Sequence, residues 1–243
     1  MLKDQGSLKL GATFMALGVV AILLSFTGYP WEMAGAMAWV GLAFVAVGLA
    51  YLFGRPHFFL KRANGVLSTT SRLIYGPFLI LNLCGHSVFR RLSREHLFDE
   101  ICENLYLGGR LYPSDSPLVA DLKLTSVLDL CAEFSESAPF RNLSYLCLPT
   151  LDACAPSVEQ LEQGVVWMME KTAAGPVYVH CALGRGRSAT MVAAYLVASG
   201  RAATVAEAVE FVAERRPQIG LTKCQRRRLE EFAGRQSSER GNQ

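Results

Sequence analysis

The chain has 243 residues, of which 51% are hydrophobic and only 19% are charged, and its mean hydropathy is +0.24. Soluble domains carry about a quarter charged residues, so the composition indicates that part of the chain lies in a membrane. It excludes a disordered chain, a basic nucleic-acid tail and a small disulfide scaffold. The net charge is only +3, and no C-x-x-C pair occurs among the seven cysteines. This cysteine pattern disfavours a zinc cluster and favours a reducing compartment.

Two uncharged segments of 22 residues each, 10–31 and 33–54, occupy the start of the chain. At roughly 1.5 Å per residue each helix would reach about 33 Å, which is enough for a hydrocarbon layer of about 30 Å. A cleavable signal peptide fits poorly, because its apolar region is only about 7–15 residues long. We therefore predict a transmembrane hairpin over 1–54 with its turn at residues 29–32.

The basic residues predict how this hairpin is oriented. The turn contains no Lys or Arg, whereas Lys3 and Lys9 precede the first span and Arg55, Lys61 and Arg62 follow the second. The positive-inside bias places both ends in the cytoplasm. The many Ala and Arg residues favour a bacterial chain, so the expected location is the bacterial inner membrane, with two spans.

Small residues recur every seven positions on both spans. They are Gly11, Gly18, Ser25, Ala34, Gly41 and Gly48. Such a stripe would let two helix backbones pack closely, but membrane helices are also generally rich in Gly and Ala. The sequence leaves both explanations open.

A basic juxtamembrane or interfacial segment is expected over 55–98. Residues 55–94 contain seven Lys or Arg and no acidic residue. Inside them, the uncharged run 73–89 is interrupted by Gly76 and Pro77, and Arg90 and Arg91 follow it. A third span is possible in length, but the interruptions and the basic cluster favour a segment that lies at the membrane surface and attracts anionic lipid.

From residue 99 the pattern is that of an α/β domain with a central sheet flanked by helices, preceded by the two transmembrane helices. Short apolar runs predict strands at 104–108, 125–130, 143–148 and 176–180. Apolar residues at helical spacing predict helices at 157–172, 187–198, 205–215 and 222–232. We expect a catalytic domain over 99–234 and a disordered polar tail over 235–243.

The segment 177–190 contains most of the candidate catalytic residues. It runs from a buried strand through a glycine-containing turn into a helix that begins near Gly186 or Arg187. Loop N–H groups and a helix N-terminus that point inward form an anion site. Cys181 at its mouth should have a lowered pKa, and Arg187, six positions later, can grip two oxygens of a tetrahedral anion.

The motif His-Cys-x5-Arg-Ser, formed here by His180, Cys181, Arg187 and Ser188, resembles the signature loop of the protein-tyrosine-phosphatase superfamily. The small domain and its flanks resemble the dual-specificity branch most closely, and the similarity extends over 99–233. Three flanking segments are similar to elements of that branch: 105–110, an opening strand; 127–133, a strand end beside the active site; and 216–217 with the helix over 221–232, the closing elements.

The resemblance implies a phosphatase that forms a phosphocysteine intermediate and needs neither metal nor cofactor. Cys181 would attack phosphorus while Arg187 and the loop amides stabilise the equatorial oxygens. Ser188 would help the sulfur to leave, and His180 would hold the loop and keep the thiolate pKa low. The phosphate-binding loop would consist of Ala182, Leu183, Gly184, Arg185, Gly186 and Arg187.

The resemblance also implies a general acid on a loop upstream. Asp152, 29 residues before Cys181, is our choice to protonate the leaving oxygen and then activate water. Asp129 and Glu133 compete for this role, but their place on or just after a core strand favours structural hydrogen bonds.

Two further residues of the domain have alternative explanations. Arg185 would add a second positive charge to the cleft, or would be a solvated loop residue. Cys131 would form a protective disulfide with Cys181 on oxidation, or would be a small buried apolar residue, which is the favoured interpretation.

The leading hypothesis is a membrane-anchored phosphatase with a cytoplasmic catalytic domain that acts on phosphoproteins carrying phosphorylated Tyr, Ser or Thr. The alternative is a lipid phosphatase for phosphatidylglycerophosphate or a phosphoinositide, which the anchor, the basic segment and Arg185 favour. A third alternative, a non-catalytic phosphate-binding pseudophosphatase, requires a damaged site, and the motif shows no damage. The predicted partners are a phosphorylated protein or an anionic lipid phosphate and the bilayer, without nucleic acid.

Overall fold

The computed structural model describes residues 5–241 and forms two compact units. The first, here called the anchor unit, comprises the residues up to Arg62, then Val66–Arg94 and Ala132–Ser135. The second, the catalytic unit, comprises Ala63–Gly65, Glu95–Cys131 and the chain from Glu136 onward.

Two long apolar helices begin the anchor unit, α1 over Gln5–Leu24 and α2 over Trp31–Phe53. Their stretches Gly6–Leu24 and Trp31–Phe53 are the only two described segments that are long and apolar enough to cross a bilayer. They overlap the two uncharged segments of the sequence but begin earlier, since α1 includes Lys9 and α2 includes Trp31 and Glu32 of the predicted turn. The observed connection, residues 25–30, carries no basic residue.

The glycines of the small-residue stripe lie where α1 meets α2. A Cβ on Gly18 would lie 2.6 Å from the carbonyl oxygen of Gly41, and a Cβ on Gly48 would lie 2.9 Å from that of Gly11. Because these distances leave no room for a side chain, the close-packing explanation holds for these four glycines.

A third long helix, α3, spans Thr69–Leu92, and the hydroxyl of its N-cap Ser68 accepts the N–H of Ser71 at 3.0 Å. The expected interruption at Gly76 and Pro77 is absent, and the helix is continuous through both residues. Proline has no N–H and so leaves the carbonyl of residue i−4 without its helical donor. Here that carbonyl belongs to Leu73, and the indole Nε1 of Trp39 donates to it at 2.8 Å.

A five-stranded mixed sheet forms the centre of the catalytic unit. The strands are β1 Phe98–Cys102, β2 Leu105–Gly108, β3 Ser126–Cys131, β4 Ser144–Thr150 and β5 Val177–His180. Their order is β1-β2-β5-β3-β4, with β1 antiparallel to β2 and all other pairs parallel. The predicted α/β class is confirmed, and β1 is a strand that the apolar pattern does not predict.

Six helices accompany this sheet. They are α4 Ser116–Val119, α5 Ala138–Arg141, α6 Val158–Ala174, α7 Arg187–Ala198, α8 Val205–Arg215 and α9 Lys223–Gly241. A capping box starts α6, in which the side chains of Ser157 and Gln160 each accept the other residue's N–H. Almost every residue of α7 is buried, as expected for the helix that packs between α6, α8 and α9.

The polar segment after residue 234 differs from the expected disordered tail, because α9 continues through Gly241. Arg235 lies 3.7 Å from Glu231 one turn earlier and 3.6 Å from Glu159 on α6. Pairs of opposite charge at this spacing stabilise a helix that has little apolar surface. Residues 242 and 243 lie outside the described part of the chain.

The topology places the chemistry at one edge of the sheet. The parallel strands β2, β5, β3 and β4 all end there, and ligands of such sheets bind outside these carboxyl ends. The loop that follows the central strand β5 therefore lies at the middle of this edge.

Candidate active site

The loop over residues 181–186 connects β5 to α7. Gly184 has a φ of +70°, and a Cβ on it would lie 2.8 Å from the backbone nitrogen of Gly109 and closer still to the carbonyl group of Gly108. Only glycine fits both the conformation and this contact. The N–H of Arg110 donates to the carbonyl of Ala182 at 3.0 Å, so the end of β2 supports the loop along one side.

Cys181 stands at the head of the loop, with 3% of its surface exposed. Burial acts to raise the pKa of its thiol, but the positive charge of Arg187 and hydrogen bonds from the side chain and backbone of Ser188 outweigh it. The Ser188 hydroxyl donates to the sulfur at 3.2 Å. The pKa of Cys181 is consequently lower than that of an ordinary cysteine, which gives the sulfur thiolate character.

Arg187 begins α7 and is 1% exposed. Its Nη1 donates to the carbonyl oxygen of Thr150 at 2.8 Å, and its Nη2 lies 3.0 Å from Oδ1 of Asp152. Thr150 ends β4, so the loop after this strand brings Asp152 to the guanidinium. The Asp152 side chain is 68% exposed, and it can therefore reach a molecule in the cleft.

A buried polar cluster, here called the histidine cluster, surrounds His180 and consists of that residue with Glu136, Asp129 and Tyr145. His180 Nε2 lies 2.6 Å from Oε2 of Glu136 and 3.8 Å from Oδ1 of Asp129, and its Nδ1 lies 3.3 Å from the Cys181 carbonyl oxygen. Both ring nitrogens thus lie near oxygen atoms that can accept a hydrogen bond. Tyr145 donates to Oδ2 of Asp129 at 2.6 Å, and burial together with that carboxylate strongly raises the Tyr145 pKa.

The two competitors for the acid role are held by hydrogen bonds of their own. Oδ1 of Asp129, which is 1% exposed, accepts the N–H of Cys131 at 2.7 Å. In the anchor unit, the Glu133 carboxylate accepts the N–H of Ala132 at 3.0 Å. Asp152, the candidate chosen from the sequence, lies within ion-pair distance of Arg187.

Cys131 is buried at the end of β3. Its sulfur, a carboxylate oxygen of Asp129 and a ring nitrogen of His180 lie within 4.8 Å of one another. The oxidative pairing of Cys131 with Cys181 stays a prediction.

Arg185 forms an ion pair with Glu95. Its Nε donates to Oε2 of Glu95 at 3.2 Å, and Nη2 contacts the other carboxylate oxygen. The two side chains are 36% and 30% exposed, so Arg185 is neither an isolated charge nor a fully solvated one.

Arg216 has a structural role that the sequence does not indicate. It is 1% exposed and contacts the backbone of the phosphate-binding loop. Its guanidinium donates to the carbonyl oxygens of Gly184 at 2.8 Å and Leu183 at 3.1 Å, and its Nη1 lies 2.6 Å from Asp99. The Arg-Pro pair gives only a family resemblance, because nothing local indicates that this arginine is buried.

Gln225, at the start of α9, is also missed. Its amide nitrogen donates to the carbonyl of Cys154 at 2.9 Å, and the same amide would lie 3.0 Å from a Cβ on Gly186. Gln225 therefore lies between the loop that carries Asp152 and the phosphate-binding loop. A glutamine in a polar helix start gives no signal of this role.

A thiol of lowered pKa, followed six residues later by a buried arginine at a helix N-terminus, is the active-site arrangement of the protein-tyrosine-phosphatase superfamily. The family profile described as the dual specificity phosphatase catalytic domain matches residues 105–235. The chain belongs to the dual-specificity phosphatase family.

Several relatives are similar to this chain over a longer stretch than the matched domain. The chain is 31% identical over 184 residues to the phosphatidylglycerophosphate phosphatase PTPMT2 of Arabidopsis thaliana, covering 73% of this chain and 79% of the relative. It is 31% identical over 173 residues to the human phosphatidylglycerophosphatase and protein-tyrosine phosphatase 1, covering 67% and 85% respectively. The crystal structure of PTPMT1 in complex with PI(5)P is 27% identical, with a TM-score of 0.54 over 59% of this chain and 99% of that one.

Proposed function

We propose that this protein is a membrane-bound lipid phosphatase that removes the terminal phosphate monoester from phosphatidylglycerophosphate or a closely related anionic lipid. One observation carries the proposal: the similarity to a phosphatidylglycerophosphate phosphatase spans 184 residues and so extends beyond the matched catalytic domain. The expected phosphoprotein substrate is not favoured over this lipid substrate.

The site geometry supports a two-step transfer through sulfur. The Cys181 thiolate attacks phosphorus, an S–P bond forms, and the P–O bond to the lipid breaks while Asp152 supplies the proton to the leaving oxygen. Asp152 then takes a proton from water, the resulting hydroxide attacks phosphorus, and the S–P bond breaks with Ser188 donating to the sulfur. Arg187 and the loop amides stabilise the charge on the transferring phosphoryl group in both steps.

The anchor unit supports a substrate that resides in a bilayer. The α1–α2 pair is apolar and long enough to span one, and five exposed arginines follow it, namely Arg55, Arg62, Arg72, Arg91 and Arg94. Each such charge adds about 1 kcal/mol of attraction to an anionic leaflet. Both chain ends are proposed to face the cytoplasm of a bacterium, and protease treatment of sealed membrane vesicles carrying epitopes after Thr27 and at the C-terminus tests this orientation.

Phosphate release by the full-length protein tests the substrate. The protein is reconstituted in vesicles that contain phosphatidylglycerophosphate or a phosphoinositide monophosphate, and in a parallel arm it is given phosphotyrosyl and phosphothreonyl peptides at equal concentration. We expect kcat/KM to be at least about tenfold higher for the lipid. Cys181→Ser should abolish turnover, whereas the control Cys84→Ser, at an exposed cysteine of α3, should retain it.

Phosphotyrosyl proteins are the second candidate, because the human relative is also named a protein-tyrosine phosphatase. Preferential hydrolysis of the phosphotyrosyl peptide by protein in the same vesicles would replace the lipid proposal with this one. Full turnover by Cys181→Ser would contradict the covalent chemistry in either case.

A further inference from the structure

The turn Ala63–Gly65, which precedes α3 in the chain, belongs to the catalytic unit although the residues on both sides of it belong to the anchor unit. It also lies well outside the part of the chain that the catalytic-domain profile matches. A segment from the membrane-proximal part of the sequence is therefore built into the catalytic unit.

Gly65 is the residue of this turn that contacts the histidine cluster. Its carbonyl oxygen accepts the N–H of Glu136 at 2.8 Å. Its φ is +79°, and a Cβ on it would lie 2.7 Å from Cζ of Tyr145, closer to the Tyr145 hydroxyl, and 3.0 Å from Cβ of Glu136. Both the backbone conformation and the space exclude a side chain here.

The two residues that Gly65 touches hold His180 and Asp129. One carboxylate oxygen of Glu136 lies 2.6 Å from His180 Nε2, and the other accepts the N–H of Ser137 at 2.5 Å. Tyr145 donates to Asp129. Since His180 directly precedes Cys181, a displacement of Glu136 or Tyr145 is transmitted to the start of the phosphate-binding loop.

We propose that Gly65 is a positioning residue of the active site, which sets the backbone of Glu136 and the ring of Tyr145 and thereby the place of His180 behind Cys181. The reactivity of the nucleophile then depends on a turn that lies before α3, outside residues 105–235 that the family profile matches. This inference rests on the proposed phosphatase chemistry, but one of its tests does not require turnover.

Gly65→Ala in the full-length protein tests the proposal, with Gly200→Ala as its matched control. Gly200 lies in the same unit and has a similar φ of +73°, but a Cβ on it would meet nothing within 4 Å. Both variants introduce the same backbone strain, which alone should lower the Tm by about 2–4 °C, and Gly65→Ala should lower it further because of its overlap with Tyr145. Only Gly65→Ala adds a contact with the histidine cluster.

We expect Gly65→Ala to lower kcat for a soluble aryl phosphate by about ten- to a hundredfold at unchanged KM, and Gly200→Ala to leave both constants unchanged. The pH dependence of Cys181 alkylation by iodoacetamide should shift to higher pH in Gly65→Ala, because the His180 ring loses its set position. Four titratable side chains lie beside this ring, namely Glu136, Asp129, Cys131 and Tyr178. Only the two carboxylates among them are charged, so Cys131 and Tyr178 cannot offset the effect of a displaced ring on the thiolate.

A Gly65→Ala protein with the kcat and alkylation profile of Gly200→Ala would overturn the proposal. If Gly65→Ala shows no cooperative unfolding transition, a glycine inserted between Asn64 and Gly65 replaces it, since this shifts the carbonyl without adding a side chain. Wild-type kcat in the insertion variant would then overturn the proposal, and a reduced kcat would support it. A wild-type protein without any turnover refutes the phosphatase function, whereas the alkylation profiles still decide the role of Gly65.

Discussion

Opposing influences on one sulfur atom set the reactivity of Cys181. Burial disfavours the thiolate, while the Arg187 guanidinium and the two hydrogen bonds from Ser188 favour it, and the favourable influences prevail. The fraction of thiolate therefore rises with pH through a pKa that lies below the ordinary cysteine value, so more thiolate is present at neutral pH than in an ordinary cysteine.

Ser188→Ala should shift this titration. Loss of the hydroxyl removes one hydrogen bond to the thiolate, which is worth about 1.5–3 kcal/mol and corresponds to a pKa rise of about one to two units. The ascending limb of kcat/KM and the rate of iodoacetamide inactivation should move to higher pH together. Ser199→Ala is the control, because its hydroxyl bonds only within the end of α7, and overlapping profiles for the two variants would contradict the assignment.

At the scale of elements, the phosphate-binding loop is held by partners from several strands and helices. Gly108 at the end of β2 lies against Gly184, and the N–H of the nearby Arg110 donates to the carbonyl oxygen of Ala182. At the end of α8, Arg216 donates to two further carbonyl oxygens of the loop. Carbonyl groups that bond outward turn their peptide N–H groups toward the opposite side, where an anion would bind, so this support holds the loop in its binding geometry.

Arg216→Lys should loosen the loop although it keeps the charge. An ammonium group cannot donate to Gly184, Leu183 and Asp99 at the positions that the planar fork reaches. We expect the Tm to fall by several degrees and kcat by about tenfold or more. Arg227→Lys, on an exposed position of α9, should change neither, and equal effects of both substitutions would refute a specific role of Arg216.

The elements that the sequence can predict are those whose signal is local. The apolar runs of β3 and β5 and the capped start of α6 are predicted to within one or two residues, and the Cys181–Arg187 motif locates the site. By contrast, β1 carries two acidic residues in five and pairs only along one edge. The continuity of α3 depends on a hydrogen bond from Trp39. The roles of Arg216 and Gln225 depend on carbonyl groups far away in the sequence. A local sequence pattern contains no information about such long-range contacts.

The α1–α2 contact gives a prediction for the anchor unit. A Cβ at Gly41 would lie 2.6 Å from Cγ1 of Ile22 and 2.7 Å from the Gly18 carbonyl oxygen, whereas one at Gly35 would meet nothing within 4 Å. Gly41→Ala should destabilise the helix pair by about 1–3 kcal/mol, as overpacking does elsewhere. Thermal unfolding in detergent micelles should show the loss for Gly41→Ala and not for Gly35→Ala, and equal Tm values would exclude close packing as the reason for the glycine.

At the scale of the whole molecule, charge is distributed unevenly along the chain. The net charge is +3, yet residues 55–94 alone carry seven basic and no acidic side chains. The rest of the chain is therefore net negative, and the attraction to an anionic surface is concentrated in the stretch that follows α2. Screening by salt acts on such exposed charges over about 8–10 Å.

Activity on lipid should consequently depend on ionic strength. Raising the salt concentration from about 0.05 to 0.5 M should lower kcat/KM toward a lipid substrate in anionic vesicles several-fold, because the Debye length shortens. Turnover of a soluble aryl phosphate by the same preparation serves as the control and should change much less. Equal salt dependence of the two substrates would assign the effect to the active site instead of the basic segment.

The ion pair between Arg187 and Asp152 implies that, without substrate, the carboxylate of Asp152 occupies the phosphate-binding position on the guanidinium. The guanidinium nitrogen that must grip phosphate is already neutralised by a carboxylate at 3.0 Å, so an incoming phosphate exchanges with that carboxylate instead of filling a bare cation. In the proposed mechanism this exchange releases the Asp152 carboxylate as the phosphate arrives, and the carboxylate must take up a proton from solvent before it can protonate the leaving oxygen. Arrival of the substrate is thereby coupled to release of the proposed acid from Arg187.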